Sequence, residues 1–137
     1  MEDHQALARW AADCAEHVLP HFEQAEPTDD RPRLAIEAAH AWARGEISVT
    51  AARDAAFAAH EAAREVSQPA ARSAARAAGH AAATAHVITH ASHSASYAAK
   101  AATQAGADEI ATVEERDWQY RQLPDHLRAK IFPASTR

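Results

Sequence analysis

The stretch "HAAATAHVITHASHSASY", residues 80–97, sets four histidines and a tyrosine among small side chains. Imidazole can act as acid, base or metal ligand near neutral pH, so any chemistry is to be sought here first. On a continuous α-helix turning about 100° per residue, His86, His90, His93 and Tyr97 fall within an arc of about 60°, while His80 points away. His86 and His90 stand at i and i+4, the spacing by which two imidazoles on one helix face share a metal. His93 lies roughly 10 Å along the axis from His86 and cannot easily join both. A complete ligand set needs a residue from another helix, such as His40, Asp54, His60 or Glu61, because no carboxylate occurs from Val66 to Ala107. HxxxH also lacks the glutamate of the HExxH protease pattern. No metal or other cofactor is expected; if one binds, His86 and His90 are its candidate ligands. Three uses of the seam stay open: hydrogen bonds that satisfy histidines inside a packed core, the lining of a small-molecule pocket, or metal ligation. In each, His86 and His90 are expected to face inward, with pKa values lowered by burial unless a carboxylate reaches them.

The elements that must position these side chains are helical throughout. Forty of the 137 residues are alanine and three are glycine, and β-branched and aromatic residues are sparse, a composition that favours helix over sheet. The expectation is an all-α bundle of five to seven helices forming a single domain over 1–137, with its core at about 5–131 and a flexible tail at 132–137. Leu7, Trp10, Cys14 and Val18 repeat at helical spacing up to Pro20, which should end or kink that helix. Asp29 and Asp30 can cap the next helix, Pro32 fits its first turn, and Gly45 can stop it after Leu34, Ile36, Ala39 and Trp42. Ser48 opens a third helix whose stripe of Val49, Ala52, Ala56, Ala59, Ala63 and Val66 allows close approach of a neighbour. From Pro69 the alanine-rich segment runs either as one helix to about Gly106 or breaks near Val87–Thr89, three β-branched residues in succession. It carries only Arg72, Arg76 and Lys100 as charges, so it belongs at the centre of the bundle. A further helix follows with Ile110, Val113, Asp117 and Trp118 as inward candidates, and Pro124 ends it and opens a short last one. Trp10, Trp42 and Phe57 are expected to be buried as the large side chains of an alanine core.

Charge and cysteine content narrow the function. The net charge is −5, and residues 1–65 hold thirteen carboxylates against six arginines. An acidic half argues against nucleic acid and suits a basic protein or a cationic ligand. The single cysteine, Cys14, reads as a small core residue. No apolar run approaches a membrane span, and the acidic start "MEDHQALARW" is unlike a secretory signal, so a cytoplasmic protein without a membrane partner is expected. There is no nucleophile motif, phosphate loop, dinucleotide turn or CxxC. Catalysis is not the leading reading; were there any, His86 or His90 would act as the base. "DDRPR" places Asp30 and Arg31 at a helix start, more often a cap and an ion pair than a site.

The stretches "DDRPRLAIEAAHAWARGEIS", "AAFAAHEAARE", "AARSAARAAGHAAATAHVITHA" followed by "YAAKAA", and "ERDWQYRQLPDHL" resemble the Imm-5-like family of bacterial immunity proteins. The resemblance runs from about Trp10 to Leu127. It implies a small helical protein, assigned from gene neighbourhood, that neutralises a cognate toxin by binding it. Asp30, Arg31 and Trp118 lie in its most distinctive stretches and join His86, His90, His93 and Tyr97 as candidate partner- or ligand-binding residues. The alternative class is a small-molecule-binding protein or atypical small enzyme using the histidine-lined seam. An immunity protein should present an exposed apolar or acidic patch, and a small-molecule protein a concave site with His86 or His90 reachable from solvent.

Overall fold

In the computed structural model, residues 2–106 and 108–132 are described. Among them seven α-helices and one 3-10 turn account for the secondary structure, with no strand. The helices are α1 (Glu2–Ala25), α2 (Arg31–Ala43), α3 (Val49–Glu65), α4 (Pro69–Ala83), α5 (His90–Gly106), α6 (Glu109–Gln122) and, after the 3-10 turn Asp125–Leu127, α7 (Arg128–Ile131). The all-α expectation holds. None of these helices is long and apolar enough to cross a membrane.

The helix boundaries follow from local chemistry. Ser48 Oγ accepts the Ala51 N–H at 3.1 Å, Gln68 Oε1 accepts the Ala71 N–H at 2.7 Å, and Asp108 Oδ1 accepts the Ala111 N–H at 2.9 Å, so α3, α4 and α6 each start on a side-chain cap. At α2 it is Asp29, not the N-cap Asp30, that binds, accepting both the Arg31 N–H and its guanidinium. Gly45, at φ 77°, follows α2 in the left-handed conformation that glycine adopts without strain. Pro20 does not end α1, which continues to Ala25. The proline lies on the exposed side while Val18, Leu19 and Phe22 are buried. The carbonyl it deprives of a donor therefore faces water, and burial of the opposite face holds the helix together.

The segment starting at Pro69 breaks as two helices, with residues 84–89 forming turns between α4 and α5. Val87 and Ile88 are exposed there, and the Thr84 hydroxyl donates back to the His80 carbonyl at 3.0 Å. α4 is the hub: it packs against α1, α2, α3 and α5, and ten of its residues are buried, nearly all alanine. In the same core cluster stand Ala56, Ala59, Ala62 and Ala63 of α3 and Trp10, Cys14, Leu19 and Phe22 of α1. Such small contacts place helix axes toward the close end of the usual 8–10 Å range. Ser94 Oγ reaches the Ala77 carbonyl at 2.8 Å and the Ala11 carbonyl at 3.2 Å, joining α5 to α4 and α1.

Three expected core assignments are overturned. Phe57 is 63% exposed, because the inward stripe of α3 at Ala52, Ala56, Ala59 and Ala63 packs too closely to leave room for a ring one residue away. Trp10, at 2% exposed, and Trp42, mostly buried with its ring 4.7 Å from that of His4, are inside as expected. On α6 the apolar candidates Ile110 and Val113 face solvent, each 67% exposed, and the buried residues are Glu115 and Gln119. A polar face wins because every group finds a partner. Gln119 Nε2 donates to the Ala95 carbonyl, Arg116 donates to Gln119 Oε1, and Trp10 Nε1 donates to the Gln119 carbonyl, at 2.8, 2.9 and 2.8 Å. Phe132, the first residue of the expected tail, sits edge-on to Trp10 at 6.4 Å; the remainder of that tail, 133–137, lies outside the described residues.

Candidate functional site

The break between α4 and α5 decides which histidines meet. In one unbroken helix His80 would point away from His90; with the chain turning over 84–89, the last turn of α4 and the first turns of α5 face each other. His80 Nδ1 and His90 Nδ1 are 2.9 Å apart. The Tyr97 ring stacks on His80 at 5.2 Å and 9°, and His93 meets His80 edge-on at 5.3 Å. His60, from α3, closes the group with its ring 4.8 Å from that of His80. His86 is exposed on the connecting turn. The expectation that it faces inward with His90 is therefore corrected: the inward position belongs to His80, since the broken helix cancels the i, i+4 register on which the expectation rested.

Gly79 makes the cluster possible. A Cβ on this residue would lie 2.6–2.8 Å from three atoms of the His60 imidazole, closer than carbon atoms approach. The glycine is thus the slot in α4 through which the α3 histidine reaches. Arg76, one turn earlier, contacts His60 Nδ1 through Nη1 at 3.1 Å. A guanidinium can only donate, so Nδ1 of His60 is the acceptor and its ring is neutral with the proton on Nε2. Between His80 and His90 one Nδ1 likewise carries a proton and the other receives it.

The electrostatics agree with this proton count. Burial first, then the Arg76 charge, pulls His60 down to about 4, and burial followed by neighbouring histidines pulls His80 down to about 3. His90 is lowered too, again mainly by burial and then by His93. A group of uncharged imidazoles without a carboxylate is what the carboxylate-free segment anticipated, with His60 and His80 as its deepest members rather than His86.

The other candidates lie elsewhere. Asp30 is exposed at the start of α2, while the Arg31 guanidinium is held by Asp29 at 2.7 Å, Glu65 at 2.6 Å and Glu61 at 3.3 Å, tying α2 to the end of α3. Glu61 is engaged there rather than with the histidines, and His40 stands 3.7 Å from Asp13. Trp118 stacks on His17 at 3.8 Å and 13°, and His17 Nδ1 contacts Glu115 at 2.9 Å. His17 of α1 thus pairs across helices with Glu115 of α6. Asp13, Glu16, His17, Trp118 and Gln122 line an open groove of about 370 Å³. Sequence reasoning missed His80, Gly79 and Arg76; the one visible signal was a glycine beside a histidine inside an alanine helix, where only a close approach explains the missing Cβ.

One family, described as "Imm-5 like putative immunity protein", matches residues 1–126. Neither a curated protein nor a solved structure matches the chain.

Proposed function

This chain belongs to the Imm-5-like immunity family, and on that premise we propose that it neutralises a partner toxin by stoichiometric association, docking through the outer face of α2 and α3. The observation that carries the proposal is Phe57, a large aromatic left 63% exposed in a chain whose core is otherwise starved of large side chains. Leu34 on α2 is 48% exposed and Val49, two turns before Phe57, is 39% exposed. Asp30, just before α2, and Asp54, Glu61 and Glu65 of α3 are exposed as well. An exposed aromatic anchor accompanied by exposed carboxylates suits a toxin with a basic surface. The Arg31 ion pairs clamp the two helices, so the face is already ordered before a partner arrives and little freedom is lost on docking.

The test is co-expression of the chain with the toxin domain encoded beside it. Wild type should protect growth and form a 1:1 complex by light scattering. Phe57→Asp should abolish both while leaving the fold intact by circular dichroism. A neighbourhood without a toxin, or full protection by Phe57→Asp, would overturn the proposal. Loss of protection in Ile110→Asp or Val113→Asp alone would move the docking face to α6 and overturn its placement here.

A further inference from the structure

We propose that His80, His90 and His93 form a three-imidazole site for a borderline transition-metal cation, zinc foremost, at the junction of α4 and α5. One ring nitrogen from each of the three lies within 4.8 Å of the others. Tetrahedral zinc with bonds of about 2.0–2.1 Å holds its nitrogens about 3.3 Å apart. The His80–His90 pair, at 2.9 Å, is already close to such an edge, and His93, whose ring nitrogen lies within 4.8 Å of the other two, must draw in to complete the face. An Nδ1···Nδ1 contact at this distance requires something between two lone pairs. In the metal-free protein it is a proton, and a cation replaces it when both rings turn their lone pairs to one centre.

The donor set selects the metal. Three imidazoles without a carboxylate offer nothing to calcium or magnesium, which take oxygen ligands, whereas zinc, copper and nickel accept imidazole readily. The carbonyl end of α4 and the amide end of α5 converge on the site, so the two helix dipoles oppose each other and neither decides the matter. His93 is exposed and provides the entry, while His80 and His90 are half-buried on helical backbone. Tyr97 stacked on one side of His80 and His60 against its edge fix the plane of the central ligand, as outer contacts do in known metal sites. Three protein ligands leave a fourth position. With Arg76 close by on His60 and no acid at hand, a hydroxide or a small anion fits that position best.

The site stands apart from the docking proposal and is tested without any partner. An untagged chain, treated with chelator and dialysed, is titrated with zinc chloride by calorimetry and with cobalt(II) in the visible range. One site per chain is expected, with the intense absorption of tetrahedral cobalt and a rise in melting temperature that grows with metal concentration. His80→Ala, His90→Ala and His93→Ala should each weaken binding by about 100-fold or more, while His86→Ala and His126→Ala leave it unchanged. Because His80 also packs against His60 and Tyr97, ring-proton NMR of the wild type provides a second readout: zinc should shift His80, His90 and His93. The absence of saturable binding, binding that survives in a folded His80→Gln variant, or zinc-induced shifts in His4, His17 or His126 instead would overturn the proposal.

Discussion

The junction of α4 with α5 and the outer face of α2 with α3 handle polar side chains in opposite ways. At the junction, His60, His80 and His90 sit half-buried, uncharged and bonded to one another or to Arg76. On the α2–α3 face, Arg31 gathers Asp29, Glu61 and Glu65, all charged and at least partly in water. Burial drives the difference. Desolvating a charge is costly, so the inner cluster gives up its protons, whereas the outer one keeps its charges because solvent shares the load. The inner group is therefore held by shape and proton placement, and the outer group by screened Coulomb attraction.

The contrast can be broken hardest at Gly79. Gly79→Val places carbon where the His60 ring lies and should destabilise the protein by about 1–3 kcal/mol, the usual range for overpacking, read as a lower urea midpoint at unchanged slope. A smaller loss would mean that His60 swings out freely and that the cluster is not tightly packed.

Acid separates the two regions by their titration windows. His60 and His80 have folded pKa values of about 4 and about 3, below the ordinary 6.5. The unfolded chain therefore binds protons first, and stability should fall as pH drops from about 6.5 toward those values. Asp29 behaves differently: the Arg31 hydrogen bonds hold its carboxyl below the ordinary 3.8. Its contribution persists above the ordinary carboxylate value and is lost only as pH falls below it toward the lowered one. His80→Gln should flatten the upper limb of the stability profile and leave the lower one, measured by thermal melts across the range. An unchanged upper limb would assign the acid sensitivity to other groups.

Arg31→Ala should cost about 1 kcal/mol, since each pair it makes is partly solvated and such pairs contribute about 0–1 kcal/mol. The loss should shrink at high salt, where wild-type stability already lacks the screened attraction. Equal losses at low and high salt would indicate that packing of the arginine stem, not charge, joins α2 to α3. The smallest effect on folding is expected at Phe57→Ala, within about 0.5 kcal/mol, because its ring is mostly in water. The same substitution should produce the largest loss of toxin affinity, which separates a residue kept for docking from one kept for the core.

Much of the fold was legible from residue types alone. Alanine content, the absence of acids from Val66 to Ala107, the cap at Ser48 and the stop at Gly45 concern neighbours within a few residues, and local backbone energetics settle them. The site was half legible. His90, His93 and Tyr97 share a face of α5 whichever way the preceding chain runs, so their grouping survived. His86 and His80 exchanged places because their positions depend on whether the helix breaks near three β-branched residues, which the spacing along the chain does not settle.

The orientation of α6 was not legible at all. Ile110 and Val113 look like a buried stripe, yet Glu115 and Gln119 are inside, because His17 Nδ1 of α1 and the Ala95 carbonyl of α5 offer their side chains partners there. Sequence by itself determined that the chain is helical, which segment lies at its centre, and that its histidines would lie where no acid on their own segment could pair them. Tertiary structure alone decided which imidazoles touch and which aromatic is left in water. The physical reason is range: helix propensity and capping act over a few bonds. The meeting of His60 with His80 and the exposure of Phe57 depend on how closely alanine lets whole helices approach, a quantity summed over contacts far apart in the chain.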